Sequence, residues 1–293
     1  MLSSFRAERL AIFGLGLMGG SLALALRPYA QTIIGIDPNQ KALTYAKEHG
    51  IIDEYTDELV AGVHGADVVV LCAPVRVILD VVKNQIGTYL RSNTLLIDIG
   101  STKADICEVM GRLPIGIHAI GGHPMTGKER SGIEASDPHL YRGKPFVLCP
   151  TRRTTPATRH RALAFVQAIE AMPIEMDAQR HDRVVATISH VPYLLSAALM
   201  ATAAQEAQYD EAIWTLAAGG FRDTTRLAGS DITMMTDIIG TNRQAIAVLL
   251  ANFRVQLALL EAMLLGEDEV NLQRSLKPVR EARLKWAQYY EKK

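Results

Sequence analysis

Ala11-Ile12-Phe13-Gly14-Leu15-Gly16-Leu17-Met18-Gly19-Gly20 decides the reading of the N-terminal half. An apolar, strand-like run passes into G-x-G-x-x-G where a strand should turn into a helix. Gly14 permits the tight turn, Gly16 lets a pyrophosphate approach the backbone, and Gly19 allows close helix–strand packing. Leu17 and Met18 open the helix whose N-terminus faces the phosphates. A second apolar run over 32–37 ends at Asp37, eighteen residues after Gly19. An acidic side chain at that distance is placed to accept hydrogen bonds from an adenosine ribose. Asp37 is followed by Pro38, with no arginine beside it to meet a 2′-phosphate, which favours NAD over NADP. The alternative is a glycine-rich turn in a Rossmann-like fold that binds no cofactor.

Outward from this motif, short β-branched runs alternate with helical stretches, the pattern of βαβ units and a mostly parallel sheet. Strands are expected over 9–14, 32–37, 67–73, 94–99, 116–121, 146–149 and 173–177. Helices are expected over 41–49, 75–90 and 156–172. Beyond Asp177 strand-like runs give way to Ala/Leu/Met-rich segments with 3.6-residue periodicity. Helices are expected over 178–207, 209–218, 221–228, 231–242 and on towards 261, and 270–290. The expected architecture is therefore an α/β Rossmann-like domain over 1–178 followed by an all-helical domain over 179–293. Only a charged helix is expected after about residue 265, so no appended ligand-sensing domain is anticipated.

The 293 residues are 48% hydrophobic, ample for two cores, and 31 Lys plus Arg cancel 31 Asp plus Glu. With no net field, nucleic acid and anionic membrane are not the expected partners; a small molecule is. Cys72, Cys107 and Cys149 form no C-x-x-C, which points to a reducing, cytoplasmic setting. The uncharged run 10–26 imitates a secretory signal, but its glycines have the explanation given above. Residues 184–204 are long enough to span a bilayer, yet Thr187, Ser189, His190, Pro192 and Ser196 fit a buried helix better.

Ligands of open parallel sheets bind beyond the carboxyl ends of the strands, which here present Gly14, Asp37, Ala73-Pro74, Gly100-Ser101 and Gly121-Gly122-His123-Pro124. Ser101 reads either as a site residue or as the N-cap of the next helix. His123, between glycine and proline, sits in a shaped turn, as a site residue or as a loop histidine bonded to backbone. His181-Asp182 and Ser189-His190 lie nine positions apart. On one continuous helix the two histidines face opposite ways and cannot chelate one metal, so no metal is expected. His190 falls within about 80° of Asp182 on such a helix, an orienting group or simply a cap. Arg222 and Arg226, at i and i+4 after Gly219-Gly220, suit a carboxylate, or else form a solvated face paired with Asp223.

Taken in order, these segments resemble the prephenate/arogenate dehydrogenase family of tyrosine biosynthesis: Gly14 to Leu22, Asp98-Ile99-Gly100-Ser101-Thr102-Lys103, Gly121-Gly122-His123-Pro124-Met125-Thr126-Gly127, His181-Asp182 with Ser189-His190-Val191-Pro192, and Gly220-Phe221-Arg222-Asp223-Thr224-Thr225-Arg226. The resemblance covers residues 8 to 260. It implies a Rossmann-like domain, a helical domain that forms a homodimer, and NAD-dependent oxidative decarboxylation of prephenate to 4-hydroxyphenylpyruvate. It also implies that His123 is the catalytic histidine, active as neutral imidazole, and that Ser101 bonds the same ring hydroxyl and contacts the cofactor. By the same resemblance Arg226 grips a substrate carboxylate, while Asp182 and His190 shape the pocket and orient His123.

Neutral Ser131, where arogenate-selective relatives carry an acidic residue, favours prephenate. Tyr193 and Lys128 are unusual for prephenate users and keep arogenate as the alternative. Glu129 is placed to pair with Arg222 or Arg226 across the cleft and to yield to substrate carboxylates. Any inhibition by tyrosine would act at the active site. A β-hydroxyacid-type dehydrogenase or imine reductase, or a NAD-binding protein without catalysis, are the competing readings; Gly122-His123-Pro124 with the paired arginines argues against them.

Overall fold

A computed structural model describes residues 5–128 and 130–291. Its sheet is built from β1 (Ala7–Phe13), β2 (Ala30–Ile36), β3 (Glu54–Thr56), β4 (Val68–Leu71), β5 (Leu95–Asp98), β6 (His118–Pro124), β7 (Pro145–Pro150) and β8 (Met172–Glu175). The order across the sheet is β3-β2-β1-β4-β5-β6-β7-β8. All neighbours run parallel except β6 and β7, where His123 stands opposite Val147 in antiparallel register. The order in which strands are added reverses between β1 and β4, so their C-terminal ends open a crevice of the kind that binds dinucleotides.

Helices cover both faces, which is why the central strands read as unbroken apolar runs. In β1 Leu10 and Ile12 pack into one core and Ala11 into the other. Val68 and Val70 against Val69 and Leu71 in β4 follow the same period of two. The connecting helices are α1 (Leu17–Leu26), α2 (Gln40–Glu48), α3 (Leu59–Val63), α4 (Val75–Asp80), α5 (Ala104–Met110) and α6 (Pro156–Ala168). α6 begins in a capping box between Thr155 and Thr158 with Pro156 in its first turn. The expected helix over 75–90 is cut short: α4 passes into a π turn at Val81–Gln85.

After β8 come α7 (Ala178–Val185), a π turn at Ala186–His190, α8 (Val191–Glu206), α9 (Ala212–Leu216), α10 (Gly219–Thr225), a 3-10 turn at Arg226–Gly229, and α11 (Ile232–Thr241). The described residues up to 243 form one compact unit and those from 244 onward a second. The second holds α12 (Arg243–Leu265), beyond its first residue, and α13 (Glu269–Glu291). α12 is apolar and long enough to cross a membrane by length and composition, as is the stretch Ala178–Glu206. However, Asn252, Arg254, Gln256 and Glu261 punctuate α12, an arrangement costly in hydrocarbon.

Candidate active site

The site grows from the carboxyl ends of β1, β4, β5 and β6. Gly14 holds φ +95° and a Cβ there would lie 2.6 Å from the Cys72 carbonyl oxygen, so only glycine fits the turn. A Cβ on Gly19 would strike the Gly14 carbonyl, which explains how α1 seats directly against the strand. Gly16 is the N-cap of α1; a Cβ there would meet nothing within 4 Å, and no side chain caps the helix. With no side chain on its first N–H groups, the α1 N-terminus is left for an anion such as a pyrophosphate. Asp37 accepts from Leu15 N at 2.7 Å and Asn39 N at 2.8 Å, which fixes its carboxylate beside the glycine turn. Ala73 and Pro74 border the same crevice, Pro74 as N-cap of α4. These features fit a dinucleotide. Gly16→Val should raise the cofactor KM at least about tenfold while stability changes by no more than about 1 kcal/mol; cofactor titration and thermal melting of the same sample check both halves.

Across the crevice, His123 Nδ1 lies 2.8 Å from His181 Nε2, and His181 Nδ1 lies 2.8 Å from Asp182 Oδ1. Asp182 also accepts from Lys103 N at 2.7 Å and Ala104 N at 2.9 Å. A carboxylate in α7 therefore caps α5, and Ser101, a candidate for that role, does not. Proton order follows from the donor inventory. A carboxylate with three donors can only accept, so neutral His181 carries its proton on Nδ1 and has a bare Nε2. That Nε2 accepts from His123 Nδ1–H, leaving His123 Nε2 bare. Burial, then the neighbouring His181, Lys103 and His190, hold the His123 imidazole well below the usual histidine value.

A buried ion pair backs this arrangement. The Lys103 ammonium and the Asp98 carboxylate, both fully buried, contact each other directly. Asp98 also accepts from Gly100 N at 2.8 Å and Gly122 N at 3.2 Å. Burial pushes the Asp98 carboxyl up, while the ammonium and the two N–H groups favour its ionised form. The Gly122 bond ties the strand position next to His123 to β5.

His190 does not stand opposite His181 as a continuous helix would place it. Pro192 lacks an N–H for the Ile188 carbonyl, and the ladder widens so that Val191 N bonds the Ala186 carbonyl. The wide turn changes the phase, and His190 sits close enough to Asp182 and His181 for both to act on its imidazole. His181, which the motif contains but to which the sequence assigned no role of its own, is the residue that sequence reasoning missed; its only signal is adjacency to Asp182. Ser101 follows β5 with a partly exposed side chain, and Ser131 is exposed in the segment after β6. Arg226 is exposed at the start of the 3-10 turn. Arg222 pairs with Asp223 at 3.0 Å on a solvated face, so the structure does not bring it to the histidines. Glu129 lies outside the described residues.

Acid sensitivity follows. His190 is pushed down to about 4 from an ordinary 6.5, chiefly by burial. A histidine depressed in the fold is neutral in both states near neutral pH. Below 6.5 the unfolded chain takes the proton first, so stability is lost as pH falls. His190 alone should account for about 3 kcal/mol between neutral pH and full protonation. A melting temperature that stays flat from neutral pH down through this window would contradict its neutral burial.

Crevice, glycine turn and histidine relay together define a Rossmann-type oxidoreductase. The description "Prephenate dehydrogenase, nucleotide-binding domain" matches residues 22–175, and "Prephenate dehydrogenase, dimerization domain" matches residues 177–278. The chain belongs to the prephenate dehydrogenase family. It is 35% identical over 255 residues to prephenate dehydrogenase of Lactococcus lactis, covering 85% of this chain and 69% of that protein. The structure of prephenate dehydrogenase from A. aeolicus with hydroxyphenyl propionate and NAD+ superposes with a TM-score of 0.87 at 30% identity, covering 97% of this chain and 99% of the other. Synechocystis arogenate dehydrogenase gives 0.83 at 29% identity, covering 95% and 99%.

Proposed function

We propose that this enzyme carries out the NAD-dependent oxidative decarboxylation of prephenate to 4-hydroxyphenylpyruvate and carbon dioxide, with residues 1–178 as the dinucleotide domain and 179–293 as the substrate and dimerisation domain. The observation that carries this reading is the chain of contacts from Asp182 through His181 to His123, in which neutral rings place a bare Nε2 at the end of β6. Such a nitrogen accepts the ring hydroxyl's hydrogen bond and polarises it while the same carbon gives up hydride. The bond to the ring carboxylate then breaks, carbon dioxide leaves, and the electron pair completes the aromatic ring. Bound NAD supplies the hydride acceptor. Gly14, Gly16, Leu17, Met18 and Gly19 hold its pyrophosphate, Asp37 its adenosine ribose, and Ala73 and Pro74 its edge. Ser101 bonds the substrate hydroxyl beside the cofactor, and Arg226 holds a substrate carboxylate. Aromatisation makes the step downhill, so the chain's task is to position and polarise.

Homodimer formation through the helical domain has two supports. One is the family's description of residues 177–278 as a dimerization domain. The other is the apolar surface of α12, where Val248, Val255, Leu257 and Leu264 are all more than half exposed; a second copy, not lipid, is its proposed cover. The three cysteines are free thiols, in keeping with a cytoplasmic enzyme. Arogenate is the second reading, favoured by the likeness to the Synechocystis enzyme. Initial rates of nicotinamide reduction in a grid of prephenate or arogenate against NAD or NADP test the proposal. Turnover led by prephenate and NAD is expected. Preference for arogenate discards the Ser131 argument, and silence in every cell with cofactor binding intact overturns the function.

A further inference from the structure

Asn242 ends α11 and is buried. Its Nδ2 donates to the Asp182 carbonyl oxygen at 2.8 Å and stands 3.2 Å from His190 Nδ1. A backbone carbonyl has no proton to give, so the amide must turn its NH2, not its oxygen, to this side. The second proton of that NH2 then points at His190 Nδ1, which must accept. A neutral imidazole with an accepting Nδ1 carries its proton on Nε2. We propose that Asn242 is a positioning residue that holds His190 as the Nε2–H tautomer, so that His190 offers a hydrogen-bond donor to a carbonyl-type acceptor oxygen of the bound substrate or cofactor.

Two further observations fit. Among the described residues His190 Nε2 meets no hydrogen-bond partner, although the residue is buried. α11 is also anchored independently, by Thr241 to Thr102 at 2.9 Å and by Asp237 to Arg76 N at 3.3 Å, which gives Asn242 a fixed base. Asp182 thereby sets two imidazoles in opposite senses. Its carboxylate, through His181, leaves His123 an acceptor; its carbonyl, through Asn242, makes His190 a donor. The titratable groups facing the His190 ring are Asp182 and His181 of α7 and His123 of β6.

The inference rests on the proposed function only for the identity of the ligand. The test uses full-length enzyme labelled with [15N]histidine, with His190 signals assigned through His190→Gln. Near neutral pH the wild type should show a bare Nδ1 and a protonated Nε2. In Asn242→Asp the carboxylate accepts from Nδ1–H, so the nitrogen pattern should invert or both nitrogens should be protonated. Asn242→Leu, which only removes the donor, should give a mixture of tautomers. In either variant KM should rise about tenfold with kcat within about threefold, for prephenate if the oxygen is the substrate's and for NAD if it is the cofactor's. A wild-type His190 with a bare Nε2, a nitrogen pattern unmoved in both variants, or both KM values unchanged in both variants would overturn the proposal. The nitrogen pattern is readable whether or not prephenate turns over, so the two failures are separable.

Discussion

His123→Ala should lower kcat by about 10²–10⁴-fold with cofactor binding retained, because His123 lies across the crevice from the glycine turn and touches neither α1 nor Asp37 in the described contacts. The companion variant His181→Phe separates the base from its orienting partner. Without His181, His123 Nδ1 loses its acceptor and the ring can place its proton on either nitrogen. We expect kcat to fall about tenfold, less than for loss of the base. The pH profile should move as well. In the wild type the acid limb of kcat/KM lies below the usual histidine value, because His123 is depressed and only its neutral form accepts. Removing His181 takes away the second largest cause of that depression, so the limb should move up towards 6.5. The double variant should be no worse than His123→Ala alone, as residues acting in one chain are not additive. Wild-type turnover by His123→Ala would return the molecule to a NAD-binding protein without catalysis.

Much of this was readable from residue order. The glycine motif, Asp37 and the parallel strands rest on local signals, namely turn geometry and apolar runs long enough to be strands buried on both faces. β3 escaped notice because Glu54-Tyr55-Thr56 is three residues long and largely exposed, with no apolar run to mark it. The breaks in the helices expected over 75–90 and 178–207 share one cause. Periodicity assumes a constant turn per residue, and the π turns at Val81–Gln85 and Ala186–His190 break that assumption. The second turn sets His181 and His190 in one neighbourhood when a regular helix would hold them apart. Lys103 and Asp98 stood only as letters of a motif, since nothing local shows that both charges are buried. Asn242 is legible only through a contact sixty residues away in sequence. Loop-borne ligands of the sheet ends were thus accessible to reading; the groups that orient them, joined across the fold, were not.

That hidden support carries the second large effect. Lys103→Met should destabilise the protein by about 3–5 kcal/mol, because it leaves Asp98 ionised, fully buried and without its counter-charge. The loss should show as a lower urea midpoint with an unchanged slope. Gly100 N and Gly122 N bond the two different oxygens of Asp98, so in Asp98→Asn/Lys103→Met the single amide oxygen keeps one of these bonds while no charge remains to be buried, and part of the stability should return. A consequence for catalysis follows from the same pair. Lys103 is one of the groups that depress His123, so in the folded fraction of Lys103→Met the acid limb of kcat/KM should move upward. If the urea midpoint of Lys103→Met matched the wild type, Asp98 would have to be protonated in the native state. The network behind β6 would then be a set of neutral hydrogen bonds, and the upward movement of the acid limb should vanish along with the stability loss, since no ammonium would be needed opposite a neutral acid.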